Sequence, residues 1–146
     1  MSNNRTGHRG YVFSRPFFEH RVPQHVQNLV IRDYCRQNGF TYLLSGTEYA
    51  MEGCHMVLQE IVQDLDNLAG IVMYSIFMLP EAPRARHAIY DTVLASGASL
   101  HGAVEGLSIA SRADIQMVED IWMMQQCLRK NGTPVQAFTA EAGTLG

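Results

Sequence analysis

Short apolar runs alternate with stretches of helical periodicity over about a hundred residues, and this alternation constrains the fold more than any other feature. The candidate strands are Gly10–Ser14, Phe40–Leu44, Ala69–Ile76 and Ser99–Val104. The third is apolar almost throughout, which is typical of a central parallel strand covered on both faces. Strands that alternate with helices predict a parallel open sheet. We expect a three-layer α/β/α domain with strand order 2-1-3-4, to which a short edge strand can be added.

Apolar residues three and four positions apart mark the helices between these strands. The first begins at Pro23 and ends at Asn38-Gly39, because proline suits the start of a helix and glycine its end. The second is expected from about Glu52, and the third from about Arg84 to Ala95. Between strand and helix, Ser45-Gly46-Thr47 is expected to end the second strand.

The last predicted helix begins near Ser111 and carries two apolar stripes. One stripe can pack on the sheet, so the second calls for another partner. We expect a homo-oligomer formed through this helix, with Trp122 and Met124 in or near the contact. The alternative is a helix buried on two sides within one subunit. The stripes consist of Met117, Ile121, Met124 and Leu128, and of Ile115, Val118 and Trp122.

A length of 146 residues suits one domain. We expect a flexible N-terminus (1–9), a domain (10–130) and a loose tail (131–146). No apolar run is long enough to span a bilayer, and no secretory leader is evident, so we expect a cytoplasmic protein without a membrane partner. The three cysteines form no close pair in the sequence, which favours free thiols.

Charge is spread unevenly along the chain. Residues 1–40 hold six arginines against two acidic residues, a balance of +4, whereas the rest holds five basic and twelve acidic residues, a balance of −7. Arginines near the N-terminus suit an anionic ligand such as a phosphate. The acidic remainder, with Lys130 as the single lysine, argues against nucleic acid as a partner.

Several segments resemble the catalytic domain of serine recombinases (resolvases and invertases) between about residues 10 and 125. GYVFS resembles the family's nucleophile strand, with Ser14 in the place of the nucleophile. The helix from Gln27 to Gly39 matches the pattern Q-x3-L-x2-Y-x4-G, and Ser45-Gly46 resembles the Ser-Gly after the second strand. VLASGASLHGAVEGLSI is similar to the family's helix–Gly–strand–Glu segment, with Glu105 at the acidic position. The resemblance implies a resolvase-like, flavodoxin-related fold.

The arginines that such enzymes use to stabilise phosphate charge are absent at the corresponding positions. Val12 replaces the arginine two residues before the serine, and Met51-Glu52 replaces an Arg-Pro pair. Phe77–Glu81 replaces the Asp-Arg-Leu-x-Arg segment after the third strand. By analogy with oxyanion holes, each lost donor removes about 3–4 kcal/mol of transition-state stabilisation. We therefore expect no recombinase activity.

A second resemblance covers nearly the whole chain. RGYVFSRPFFEHRVPQHVQNLVIRDYC and LLSGTEYAME are similar to segments of a family of small bacterial proteins named for sporadic carbohydrate clusters. This implies a setting in surface-polysaccharide or unusual-sugar synthesis, without fixing a reaction. We expect a protein that binds or converts a sugar or nucleotide-sugar. The alternative is a non-catalytic dimeric accessory protein that scaffolds biosynthetic enzymes.

Polar residues follow the predicted strands, and ligands of open parallel sheets bind beyond the carboxyl ends of the strands. Ser14 is the candidate nucleophile and Glu48 the candidate base. Arg15 is expected to bind an anion, and the loop that contains Arg21 to close over it. The same residue types also suit turns and helix caps, which is the alternative. The remaining candidate substrate-binding residues are Ser45, Tyr74, Ser75 and Glu105.

The sequence contains no HExxH, CxxC, GxGxxG or P-loop pattern. We therefore expect neither a metal nor a cofactor. Cys54 and His55 are neighbours, but their helical positions predict that they point to different sides and do not act as a pair.

Overall fold

The described part of the chain forms a sheet of five strands, β1 (Gly7–Phe13), β2 (Thr41–Glu48), β3 (Gly70–Met73), β4 (Ser99–Gly102) and β5 (Leu107–Ile109), in the order β2-β1-β3-β4-β5. In this computed structural model, which describes residues 6–17 and 21–130, the first four strands are parallel and β5 is antiparallel to β4. The predicted order and the additional edge strand are confirmed.

Helices cover both faces of the sheet, which confirms the three layers. Helix α1 (Gln24–Gln37) packs on one face, α2 (Met56–Gln63) packs on β2, and α3 (Pro83–Ser96) packs on β4. Tyr11 points to the face opposite α1, because it alternates with the neighbouring Val12 along β1. The buried cluster beneath α1 consists of Val12, Ile31, Cys35 and Val72.

The chain divides after Ser111 into two compact units. The first contains the sheet and α1 to α3, and the second contains α4 (Arg112–Lys130). One predicted stripe of α4 is buried, whereas Met117 and Met124 of the other are 50% and 64% exposed. The buried residues are Ile115, Val118 and Trp122.

The predicted domain 10–130 spans both units. Residues 1–5 of the predicted flexible N-terminus and the whole predicted tail, 131–146, lie outside the described residues. β1 begins at Gly7, three residues earlier than predicted, and ends one residue before Ser14.

β2 runs through the segment that the sequence assigned to a turn, so that prediction was wrong. The register between β1 and β2 shifts by one residue, which places Leu44 and Ser45 both opposite Gly10. Such a bulge accommodates an extra residue without ending the strand. A Cβ added at Gly10 would lie 2.1 Å from Ser45 Oγ, so glycine at this position makes room for the bulge.

The helices agree with the sequence except at the start of α2, which begins at Met56 instead of about Glu52. Gly53 has φ +76, a left-handed conformation that helical residues do not adopt. α3 ends as predicted, at Gly97 with φ +79. Within 6–17 and 21–130, no helix has the length and apolarity that a membrane crossing requires.

Candidate ligand-binding site

The carboxyl end of β1 is held by the side chain of Gln27, which is 1% exposed. The Phe13 amide donates a hydrogen bond to Gln27 Oε1 (3.0 Å), and Gln27 Nε2 donates to the carbonyl oxygens of Phe13 (2.9 Å) and Val22 (2.8 Å). The amide side chain thus pairs with the last residue of β1 as a neighbouring strand would. Sequence reasoning used Gln27 only as a point of resemblance. Its position on the apolar face of α1, four residues before Ile31, could have predicted that the Gln27 side chain is buried.

A depression of about 240 Å³ lies beyond this strand end. It brings together three of the predicted site residues, Ser14, Arg15 and Arg21. Arg15 and Arg21 reach it from opposite ends of the loop that follows β1. The other lining residues are Phe13, Val22, Pro23 and Gln24.

Ser14 and Arg15 are both hydrogen-bonded to backbone carbonyls at the end of β2. Ser14 Oγ donates to the carbonyl oxygen of Glu48 (2.8 Å), and Arg15 Nη1 donates to that of Tyr49 (2.9 Å). The Arg15 guanidinium also lies over the Phe13 ring, with Cζ 4.1 Å from the ring centroid. A cation in this position is attracted to the face of the ring. Arg15 is therefore oriented before any ligand arrives.

Glu48 is buried, and its carboxylate is surrounded by hydrogen-bond donors. Oε1 accepts from the Tyr11 hydroxyl (2.7 Å) and the Leu58 amide (3.1 Å). Oε2 accepts from the amides of Tyr49 and Val57 (3.1 Å each) and from the Cys54 thiol (3.5 Å).

These contacts decide the ionisation of Glu48. Burial acts to raise the pKa of the Glu48 carboxyl, but the bonds from Tyr11 and from the backbone amides outweigh it, so the pKa lies below its ordinary value. Burial and the adjacent carboxylate raise the pKa of Tyr11. Glu48 therefore remains an ionised group that caps the N-terminus of α2, where negative charge is favourable. This geometry favours a structural role over that of a general base.

Ser75 and Glu105 form a separate polar cluster. Ser75 Oγ donates to Glu105 Oε2 (2.7 Å), and the Ile76 amide donates to Glu105 Oε1 (2.8 Å). A Cβ added at Gly102 would lie 2.8 Å from Glu105 Oε1, so glycine there leaves space for the carboxylate. The cluster fastens the turn after β4 to the segment that follows β3. Both roles are those of turn and cap residues.

The two remaining candidates are placed differently from each other. Tyr74 lies near the depression, because its ring contacts Phe17 (6.1 Å between centroids) and Phe17 contacts Phe13 (5.9 Å). Ser45 lies in the bulge of β2 and not at a strand end, with its Oγ 2.8 Å from the Tyr42 hydroxyl. It was expected beside Ser14 only because β2 was expected to end at Leu44.

His55, which the sequence analysis considered only as a partner of Cys54, lies beside this site. Its ring is 6.0 Å from that of Phe13, the residue on which Arg15 stacks. Nδ1 lies 3.2 Å from the carbonyl oxygen of Gly53, and Nε2 lies 3.1 Å from that of Met78. Burial lowers the pKa of His55. Within 6–17 and 21–130, no three His, Cys, Asp or Glu side chains are grouped to hold a metal ion.

Known structures share this arrangement of strands and helices. The N-terminal catalytic domain of TP901-1 integrase aligns with a TM-score of 0.58 and 12% identity, over 84% of this chain and 97% of that domain. A resolvase family site-specific recombinase from Streptococcus pneumoniae aligns with a TM-score of 0.58 and 10% identity, over 94% and 97%. The chain has the resolvase catalytic-domain fold.

At these identities the resolvase likeness concerns the fold alone. No protein-family model and no curated protein matches the sequence, so the resemblance to the carbohydrate-cluster family is not confirmed. Within the resolvase fold, Val12 is fully buried beneath α1, and Met78 of the segment after β3 is also buried. Those positions contribute packing where the resemblance would have supplied cations.

Proposed function

We propose that this resolvase-fold domain binds a small phosphate-bearing ligand of the sugar-phosphate or nucleotide-sugar class and does not recombine DNA. The observation that carries the proposal is the pair of arginines, Arg15 and Arg21, on one depression beside Ser14. Guanidinium groups present planar sets of N–H donors that match phosphate oxygens. The sugar part of the proposal draws on the sequence resemblance to carbohydrate-cluster proteins, as does a cytoplasmic role in carbohydrate biosynthesis.

The surroundings of Ser14 support binding more than catalysis. A nucleophilic serine needs a neighbouring base to accept its proton. The Ser14 hydroxyl instead donates to the backbone carbonyl of Glu48, and the Glu48 carboxylate already accepts from other donors. In this arrangement the Ser14 oxygen can accept a hydrogen bond from a ligand hydroxyl.

The lack of recombinase activity is proposed from the replaced cations. Transfer of a DNA phosphate requires several preorganised positive groups around the transition state. Val12, Met51-Glu52 and Phe77–Glu81 offer none at the positions where the recombinase pattern has arginine. The acidic balance of the chain after residue 40 is also unfavourable for DNA.

Calorimetric titration with inorganic pyrophosphate and with UDP-glucose tests the proposal. We expect both to bind the wild-type chain and uncharged glucose not to bind. Arg15→Ala removes a charge-assisted contact that is held in place by Phe13, so both affinities should fall by about tenfold or more.

Arg84→Ala is the matched control, because Arg84 is an exposed arginine at the start of α3 and does not line the depression. Its affinity should equal that of the wild type. Equal losses in the two variants would show that the depression is not the binding site. The absence of binding by either phosphate compound would refute the proposed ligand class.

A second proposal is a dimeric accessory protein that scaffolds biosynthetic enzymes. It is favoured by the exposed methionines of α4, because Met117, Met123 and Met124 are each at least half exposed. Methionine suits adaptable hydrophobic contacts. Light scattering at micromolar concentration should give a dimer that Met124→Glu converts to a monomer. A wild-type monomer would contradict this proposal.

A further inference from the structure

The imidazole of His55 lies between two hydrogen-bond acceptors. The carbonyl oxygens of Gly53 and Met78 are 3.2 and 3.1 Å from its two nitrogens. A neutral imidazole has one N–H group and can donate to only one of them, whereas the imidazolium can donate to both. The backbone around His55 is therefore arranged for the protonated ring.

Two charged groups face this ring from the neighbouring elements. Arg15, from the loop after β1, acts against a proton on His55, and Glu48, at the end of β2, acts in its favour. The Cys54 thiol, which comes just before His55, is turned to the Glu48 carboxylate. Burial and the Arg15 charge lower the pKa of His55, and the two carbonyls and Glu48 partly offset them. Without a ligand the ring is thus neutral at neutral pH, and one carbonyl lacks a donor from it.

We propose that His55 takes up a proton from solvent when an anion occupies the depression beside Arg15, so that anion binding strengthens as the pH falls. This inference rests on the proposed anion site. A bound anion offsets the Arg15 charge, which acts against a proton on His55, and this favours the imidazolium. The new proton completes the second hydrogen bond, to Gly53 or Met78. Because binding takes up a proton, its strength depends on pH by linkage.

Sulfate is a suitable probe, because its charge is constant over the relevant pH range. NMR titrations at fixed ionic strength measure the dissociation constant of sulfate. We expect this constant to be about three- to tenfold lower near pH 5.5 than near pH 7.5, because one linked proton changes affinity by at most about tenfold per pH unit. In His55→Gln this dependence should disappear. His25→Gln, which removes an exposed histidine in the first turn of α1, should retain it.

A second NMR measurement follows the His55 ring directly. Its proton resonances should give a higher pKa with saturating sulfate than without. A pKa of His55 that does not change with sulfate, or a pH dependence that persists in His55→Gln, would overturn the inference and leave the anion site standing. If neither sulfate nor pyrophosphate binds the chain at any pH, the proposed function itself is refuted.

Discussion

Among single residues, Gln27 has the most direct effect on the geometry of the site. Its side chain pairs with both polar backbone groups of Phe13, the residue before Ser14, and also holds Val22 on the far side of the loop. Gln27→Met keeps the length of the side chain and removes these three bonds. Buried backbone groups left without partners cost about 1–3 kcal/mol each. We expect a loss of about 3 kcal/mol in the free energy of unfolding, measured by urea denaturation.

The same change should also weaken binding, because Ser14 and Arg15 follow the strand end that Gln27 holds. Pyrophosphate affinity should fall in Gln27→Met under conditions where the variant is still folded by circular dichroism. Gln59→Met is the control, since Gln59 is exposed in α2. A variant at position 27 that matches this control in stability and affinity would show that the amide does not position the site.

At the scale of elements, the sequence predicted which segments form strands and helices better than where they end. Helical periodicity is repeated over several turns, so α1 and α3 were located to within two residues. The end of β2 depends on pairing across the sheet, because a serine and a glycine that resemble a turn are accommodated by a bulge opposite Gly10. Local residue preferences do not report such non-local pairing.

For the candidate site, too, the sequence indicated which segments meet better than it indicated the contacts of individual side chains. The placement of Ser14, Arg15 and Arg21 on one depression follows from topology, because they flank the carboxyl end of the central strand β1. The hydrogen bonds that assign Glu48 to the cap of α2 depend on side-chain geometry that no spacing rule specifies. The position of His55 was wrong for a related reason. It was expected on the surface of the second helix, but Gly53 delays the start of α2, so His55 precedes the helix.

For the molecule as a whole, a buried histidine of β4 links stability to pH. His101 is hydrogen-bonded through Nδ1 to the Tyr34 hydroxyl (2.9 Å) and through Nε2 to the Ser99 hydroxyl (2.7 Å). The ring centroid of His8 lies 5.4 Å from that of His101, and the His8 ring stacks on Phe40 with the centroids 3.7 Å apart. Burial, together with the nearby His8, lowers the pKa of His101 to about 4, and burial also lowers that of His8. Both histidines are therefore neutral in the folded chain at neutral pH.

The free energy of unfolding should consequently fall as the pH is lowered from about 6.5 towards 4. In that window the unfolded chain binds protons that the folded chain does not, and His101 alone accounts for a loss of about 3 kcal/mol by pH 4. Glu48, whose pKa is lowered, loses its stabilising ionised form only at more acidic pH. Urea denaturation near pH 7 and pH 5 should therefore show a smaller difference for His101→Gln than for the wild type, even though the variant is less stable at pH 7. His25→Gln, at an exposed position, should keep the wild-type difference, and an unchanged difference in His101→Gln would show that the acid sensitivity arises elsewhere.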